Sequence, residues 1–280
     1  MTPPLAPRAL PRILAIDWSG AARGAERRIW LAEWDAARGG VVRLEDGRTR
    51  EALVEHLCRE VQRDAHVVIG LDFAFSFPAW FLAERSLATA PAAWALVARE
   101  GERWLADCPP PFWGRPGRPR PDVPDHFRRT ERDLAPVAGI RPKSVLQIGG
   151  AGAVGTGSLR GMPHLLALRA AGCAIWPFDP PTFPMVVEVY PRLLTGPVTK
   201  SSARQRGEWL ATRTSDAPTL TARPEGDAML ARAARSEDAF DALASAMAMG
   251  RAARDFSALE RHDDPRTLLE GIIWRPSGLR

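Results

Sequence analysis

Arg12–Gly20, RILAIDWSG, is the stretch on which the fold turns. An apolar run, Ile13 to Ile16, delivers one carboxylate, Asp17, into a short turn of small and polar residues. Such a run, bounded by turn residues, reads as a strand buried on both faces. A carboxylate at the end of that strand is costly to bury unless something pairs with it. Three later stretches repeat the form: GLDFAFSFP at Gly70–Pro78, VVEVYP at Val186–Pro191, and EDAFDALASAMAM at Glu237–Met249. Asp17 is therefore read as a hub around which the later acids gather.

Outward from that strand, Arg28–Asp35 (RIWLAEWD) alternates as a second strand and Val41–Glu45 as a third. Their short connections predict an antiparallel meander. Thr49 is a helix N-cap, and Leu53, Val54, Leu57, Cys58 and Val61 fall on one face of the helix it starts. His66–Asp72 is the next buried-type strand. A helical crossover makes its pairing with the first strand parallel and right-handed. Asp17 and Asp72 then share the carboxyl edge of the sheet, where open α/β sheets place their sites. The expected fold class is α/β: a mixed central sheet, antiparallel hairpins followed by parallel strands, flanked by helices and carrying an irregular insertion.

Ala79–Leu87 and Pro91–Ala106 read as helices. Cys108–Asp125 holds seven prolines and three arginines and is read as irregular. Val145–Ile148 reads as a short strand, Gly149–Gly157 as a glycine loop, and His164–Ala171 as a helix. Further on, Ala174–Phe178 leads into PPTFP, Met185–Tyr190 reads as a strand carrying Glu188, and Ser201–Thr212 and Ala228–Ala234 as helices. Glu237–Ala252 is a strong Ala-rich helix, and Gly271–Trp274 a late strand. The 280 residues are taken as one domain, with 101–170 an inserted Pro-, Arg- and Gly-rich subregion.

The composition, 45% apolar and 25% charged, is that of a globular chain. Met1–Pro11 lacks the apolar core of a secretory signal, and no run is long enough to span a membrane. Three scattered cysteines argue against a disulfide framework or zinc site and suit a reducing cytoplasm. Net charge is +5, and Gly101–Ala170 alone holds 11 Arg and Lys against 6 Asp and Glu. That excess is either a footprint for a polyanion or the mark of an Arg-rich proteome, in which only Lys143 and Lys200 remain as lysines.

Asp238 and Asp241 lie three residues apart on one helical face. The alanines around them keep the helix thin enough to bring acids to the strand ends. Acids in a first turn also favour the helix dipole, which suits Asp238 better than Asp241. Carboxylates gathered at one edge repel unless a cation joins them, and oxygen ligands of this kind suit Mg²⁺ or Mn²⁺. The glycine segment lacks a Walker ending. The backbone amides of Gly155–Ser158, with Arg160 beside them, either cradle a phosphate at a helix start or form a plain flexible turn. Ser19 is a candidate for a bond to substrate phosphate or bound water. Phe73, Phe75, Phe77 and Trp80 are core packing or a stacking surface for bases.

The order strand–Asp (AIDWSG), hairpins, helix, strand–Asp (GLDFAFSFP), strand–Glu (VEVYP) and DAFDALASAMAM helix resembles the ribonuclease-H-like superfamily. DxxDALA at Asp238–Ala244 is similar to the last acidic helix of RuvC-type Holliday-junction resolvases. IDWSGA, VGTGSLRGMP and VEVYPRLLTG, with GLDFAFSFP, resemble a family of predicted ribonuclease-H-like nucleases catalogued as domain-of-unknown-function family 429. The resemblance spans Ile13–Met249. It implies a metal-dependent nuclease acting on DNA or RNA, with Asp17, Asp72, Asp238 and Asp241 as ligands of Mg²⁺ or Mn²⁺. Glu188 is a further ligand or base, or a strand acid paired with Arg192. Arg115, Arg118, Arg120, Arg128, Arg129 and Arg160 would meet phosphates. Two alternatives stay open: an ATP-binding or phosphotransfer protein of the actin-like fold group, and a non-catalytic nucleic-acid-binding module.

Overall fold

A computed structural model describes residues 10–214 and 224–279. Residues 1–9, most of the Met1–Pro11 segment read for a signal, lie outside the described residues. The strands are β1 (Arg12–Asp17), β2 (Trp30–Asp35), β3 (Gly40–Glu45), β4 (Val67–Leu71), β5 (Ala174–Ile175) and β6 (Met185–Glu188). They form one six-stranded sheet in the order β3-β2-β1-β4-β6-β5. β1, β2 and β3 pair antiparallel. β4 joins β1 in parallel, and β6 joins both β4 and β5 in parallel. The mixed α/β sheet is the one expected from the sequence.

The helices are α1 (Arg50–Arg63), α2 (Ala79–Ala83), α3 (Ala90–Asp107), α4 (Arg129–Asp133), α5 (Val154–Ala170), α6 (Pro191–Thr195), α7 (Ala203–Thr214), α8 (Pro224–Arg235), α9 (Glu237–Arg251), α10 (Ala253–Ser257) and α11 (Pro265–Glu270). Thr49 caps α1 by accepting from the Ala52 amide. Alternation along the strands splits the core in two. Leu14, Ile16, Ile69, Leu71 and Val186 face α1, α3 and α5. Ile13, Ala15, Ala32, Val68, Met185 and Val187 face α9. The run of small residues lets α9 sit close: a Cβ on Gly250 would fall 2.3 Å from the Trp34 ring. Ser236 caps α9 by accepting from the Ala239 amide.

Four expectations need correcting. Val145–Ile148 is not a strand; only a bridge between Trp113 and Gln147 forms there, because the prolines of the insertion leave no partner strand beside it. α5 begins at Val154, ten residues before the expected His164, so the end of the glycine segment forms its first turn, with Pro163 inside the helix. The irregular part of 101–170 is 108–153, with only α4 in it, since both ends of that span belong to α3 and α5, which pack against each other over the sheet. The late strand at Gly271–Trp274 is reduced to a bridge of Ile273 to Glu188. Among the described residues no helix is long and apolar enough to cross a membrane.

Candidate metal centre

The register of β1 against β4 pairs Ile16 with Leu71, and the Asp72 amide donates to the Ile16 carbonyl at 3.2 Å. Asp17 and Asp72 therefore stand side by side at the carboxyl ends of neighbouring parallel strands. Both continue the alternation of Ile13, Ala15 and Val68, so both belong to the α9 face. α9 crosses that face and brings Asp238 and Asp241 to the same edge. Asp17 is 9% exposed. Burial raises its carboxyl well above the ordinary aspartate range, and the charges of Asp241, Asp72 and Asp238 raise it further. Burial, then Asp241, push Asp72 up to about 7. Asp238 rises through burial and the charge of Asp241, against the pull of Arg28. Asp17 thus lies within electrostatic reach of Asp241, Asp72 and Asp238.

The residue that balances them went unread as a site residue. Lys200 Nζ donates to Asp241 Oδ2 at 2.6 Å, and its charge opposes the rise at Asp17, Asp72 and Asp241. The other Asp241 oxygen, Oδ1, is buried without a hydrogen-bond partner. An orphaned carboxylate oxygen among three further carboxylates is a donor set that suits a hard cation such as Mg²⁺ or Mn²⁺. Among the described residues no three His, Cys, Asp or Glu are already drawn into a metal cage. The signal for Lys200 was present in the composition: in an Arg-dominated chain, one of the two lysines is here.

A cleft of about 400 Å³ opens over Asp17, Asp72 and Asp238. Its walls include Trp18 to Ala21, Val154, Thr156 and Gly157 of α5, Tyr190, and the exposed cations Arg28 and Lys143. Neither cation has an ion-pair partner among the described residues. The second lysine thus also lies at the site.

Glu188 borders the same cleft and its charge adds to the rise at Asp72, but its carboxylate is turned to other partners. β6 pairs it with Leu71, one residue short of Asp72, so it belongs with Val186 on the opposite face. There it accepts from Arg128, through Nη1 at 2.8 Å and through Nη2, and from the Phe75 amide at 3.0 Å. Its partner is Arg128, not Arg192, whose guanidinium bonds the Val198 carbonyl. Arg128 is 1% exposed and also binds Glu131 and the Glu270 carbonyl. It is a buried strut beneath the Asp72 loop, at the floor of the cleft, with its guanidinium already taken up by Glu188, Glu131 and the Glu270 carbonyl.

The phosphate-cradle reading fails for most of its residues. The Gly155 amide donates to the Gln147 carbonyl, and a Cβ there would fall 2.2 Å from the Val145 oxygen. Ser158 is fully buried, donates to the Val154 carbonyl and accepts from the Ala74 amide at 3.0 Å, tying α5 to the Asp72 loop. Thr156 borders the cleft while its hydroxyl donates to Ile148. Arg160 pairs with Glu102 and donates to the Gly20 carbonyl, and Arg50 donates to the carbonyls of Ser19 and Ala21. These two arginines splint the turn that follows Asp17. The Ser19 hydroxyl accepts from the Ala21 amide within that turn while bordering the cleft. Arg129 is paired with Asp264, and Arg120 lies over the Trp113 and Phe127 rings. Phe73, Phe75 and Phe77 are buried core. No protein-family model, curated protein or solved structure matches this chain.

Proposed function

We propose that the protein is a divalent-metal-dependent nuclease that hydrolyses phosphodiester bonds of DNA or RNA. The observation that carries this reading is the convergence of Asp17, Asp72, Asp238 and Asp241 at one sheet edge, with a buried Asp241 oxygen left unpaired. Such repulsion is a standing cost to the fold, and sites that keep such a cost keep it for function. The order of the acids along the chain, which resembles the ribonuclease-H-like superfamily, supports the same reading. Asp17, Asp72, Asp238 and Asp241 would hold Mg²⁺ or Mn²⁺. When bound, such an ion supplies an activated water and stabilises charge on the departing oxygen of a phosphodiester.

The chain's own residues supply the rest. Lys143 and Arg28 draw a phosphate to the mouth of the cleft. Arg50 and Arg160 fix the turn that aims Asp17, and the Arg128–Glu188 pair fixes the backbone after Asp72. The glycine segment lends no support to the ATP-binding alternative, because the Gly155 amide and the Ser158 hydroxyl are bonded within the fold. Three free cysteines suit a reducing, cytoplasmic setting.

The test is cleavage of labelled single-stranded, duplex and branched DNA and RNA with Mg²⁺ or Mn²⁺, beside the Asp17→Asn variant. Cleavage that needs the metal and vanishes in the variant is expected. Cleavage that survives both EDTA and Asp17→Asn, or metal-loaded protein inert on every substrate, overturns the reading.

A further inference from the structure

We infer that Lys200 is a resident counter-ion of the acid cluster, which holds Asp241 when the site is free of metal and yields it when a divalent cation binds. The inference rests on the metal-site reading above. Its basis is geometric. Lys200 Nζ and Asp241 Oδ2 lie 2.6 Å apart with side chains only 14% and 15% exposed, while Asp241 Oδ1 has no partner. One oxygen of the carboxylate thus holds an ammonium and the other is free for a second cation.

The lysine is placed by construction. The buried guanidinium of Arg206 donates to the Lys200 carbonyl and, at 3.1 Å, to the Ala234 carbonyl at the end of α8. Ser236, the cap of α9, lies two residues further on. The Lys200 backbone is thereby referenced to the helix that carries Asp241, and its four-carbon stem carries the ammonium from there to the carboxylate. An ammonium is a compact charge that makes and releases single contacts, whereas an arginine fork would engage the carboxylate in a paired, more persistent bond. In a chain where 36 of the 38 basic residues are arginine, lysine stands at this position. The device lets four crowded acids fold before any metal arrives, and it sets a threshold on metal binding, because the ammonium on one oxygen of Asp241 repels a cation arriving at the other.

The test uses the full chain labelled with ¹³C at lysine Cε, carrying Lys143→Arg so that one lysine signal remains. Titration with Mg²⁺ is expected to move that signal to the position of a free lysine, in step with binding followed by calorimetry. A signal that stays in place while Mg²⁺ saturates the protein overturns the inference, as does the absence of Mg²⁺ and Mn²⁺ binding at millimolar concentrations. Independently, Lys200→Met should bind Mn²⁺ about tenfold more tightly, since the competing charge is gone. It should also melt lower than wild type in EDTA and recover on adding Mn²⁺. Equal or weaker Mn²⁺ binding refutes the competition; if Lys200→Met fails to fold, the labelled protein decides alone. Neither readout is cleavage. A lysine displaced in a protein that cuts nothing sustains this inference and removes the nuclease reading, and a cleaving protein whose lysine stays in place does the reverse.

Discussion

Replacing Asp72 with Asn should stabilise the metal-free protein at neutral pH. The fold makes this carboxyl keep its proton to about pH 7, against 3.8 for an ordinary aspartate, chiefly through burial and then through the charge of Asp241. The sign follows from which state binds more protons. Below about pH 4 folded and unfolded chains both carry a neutral group, and Asp and Asn are equivalent. Above that the unfolded chain ionises while the folded one resists, so the wild type loses roughly 1.4 kcal/mol per pH unit against the variant. The loss is complete once the pH passes the folded value, and the full shift corresponds to ~4 kcal/mol. Asp17 and Asp241 also meet less repulsion once Asp72 is neutral, which favours the variant in the same direction, and the expected gain is about 2–4 kcal/mol. The assay is urea unfolding in EDTA from about pH 4.5 to pH 8.5, with both proteins side by side. The midpoints should coincide at the acid end and separate steadily towards the alkaline end. Adding Mg²⁺ should close the gap, because only the wild type offers the cation an ionised Asp72. An Asn variant no more stable than wild type at pH 8, or a gap that ignores pH, would show that the cluster is not strained by like charge.

Arg128→Met should cost about 3–5 kcal/mol in denaturant unfolding, because Glu188 and Glu131 lose their buried counter-charge; a loss under about 1 kcal/mol would mean that the strut carries no weight. Gly20→Ala should destabilise by about 1–3 kcal/mol and reduce any cleavage, since the new Cβ would lie 2.4 Å from the Gly157 amide nitrogen and must displace the turn that aims Asp17. Unchanged thermal melting of that variant would contradict the close approach. Lys143→Ala should leave stability within about 0.5 kcal/mol, weaken binding of nucleic acid, and reduce the slope of log affinity against log salt by about one; an unaltered slope would remove Lys143 from phosphate contact.

What could be read in the sequence was what is local or periodic. The apolar runs at Ile13–Ile16 and Val67–Leu71, the short hairpin connections and the Thr49 cap determine a mixed sheet with a parallel crossover. Once that crossover is accepted, Asp17 and Asp72 must be neighbours, and the Ala-rich helix names Asp238 and Asp241 as the acids able to approach. Register could not be read, and register decided Glu188: one residue of offset between β6 and β4 turns its side chain to the opposite face, onto Arg128. The first turns of α5 could not be read either, because glycines disfavour a helix in isolation and here serve close packing of Gly155 on Val145 and of Gly20 on Gly157. Lys200 lies 41 residues before Asp241, and no local pattern links them. Sequence alone thus determined which charges sit on regular elements. The tertiary structure decided which of them meet, because a buried charge is governed by whatever the fold brings within a few ångströms of it.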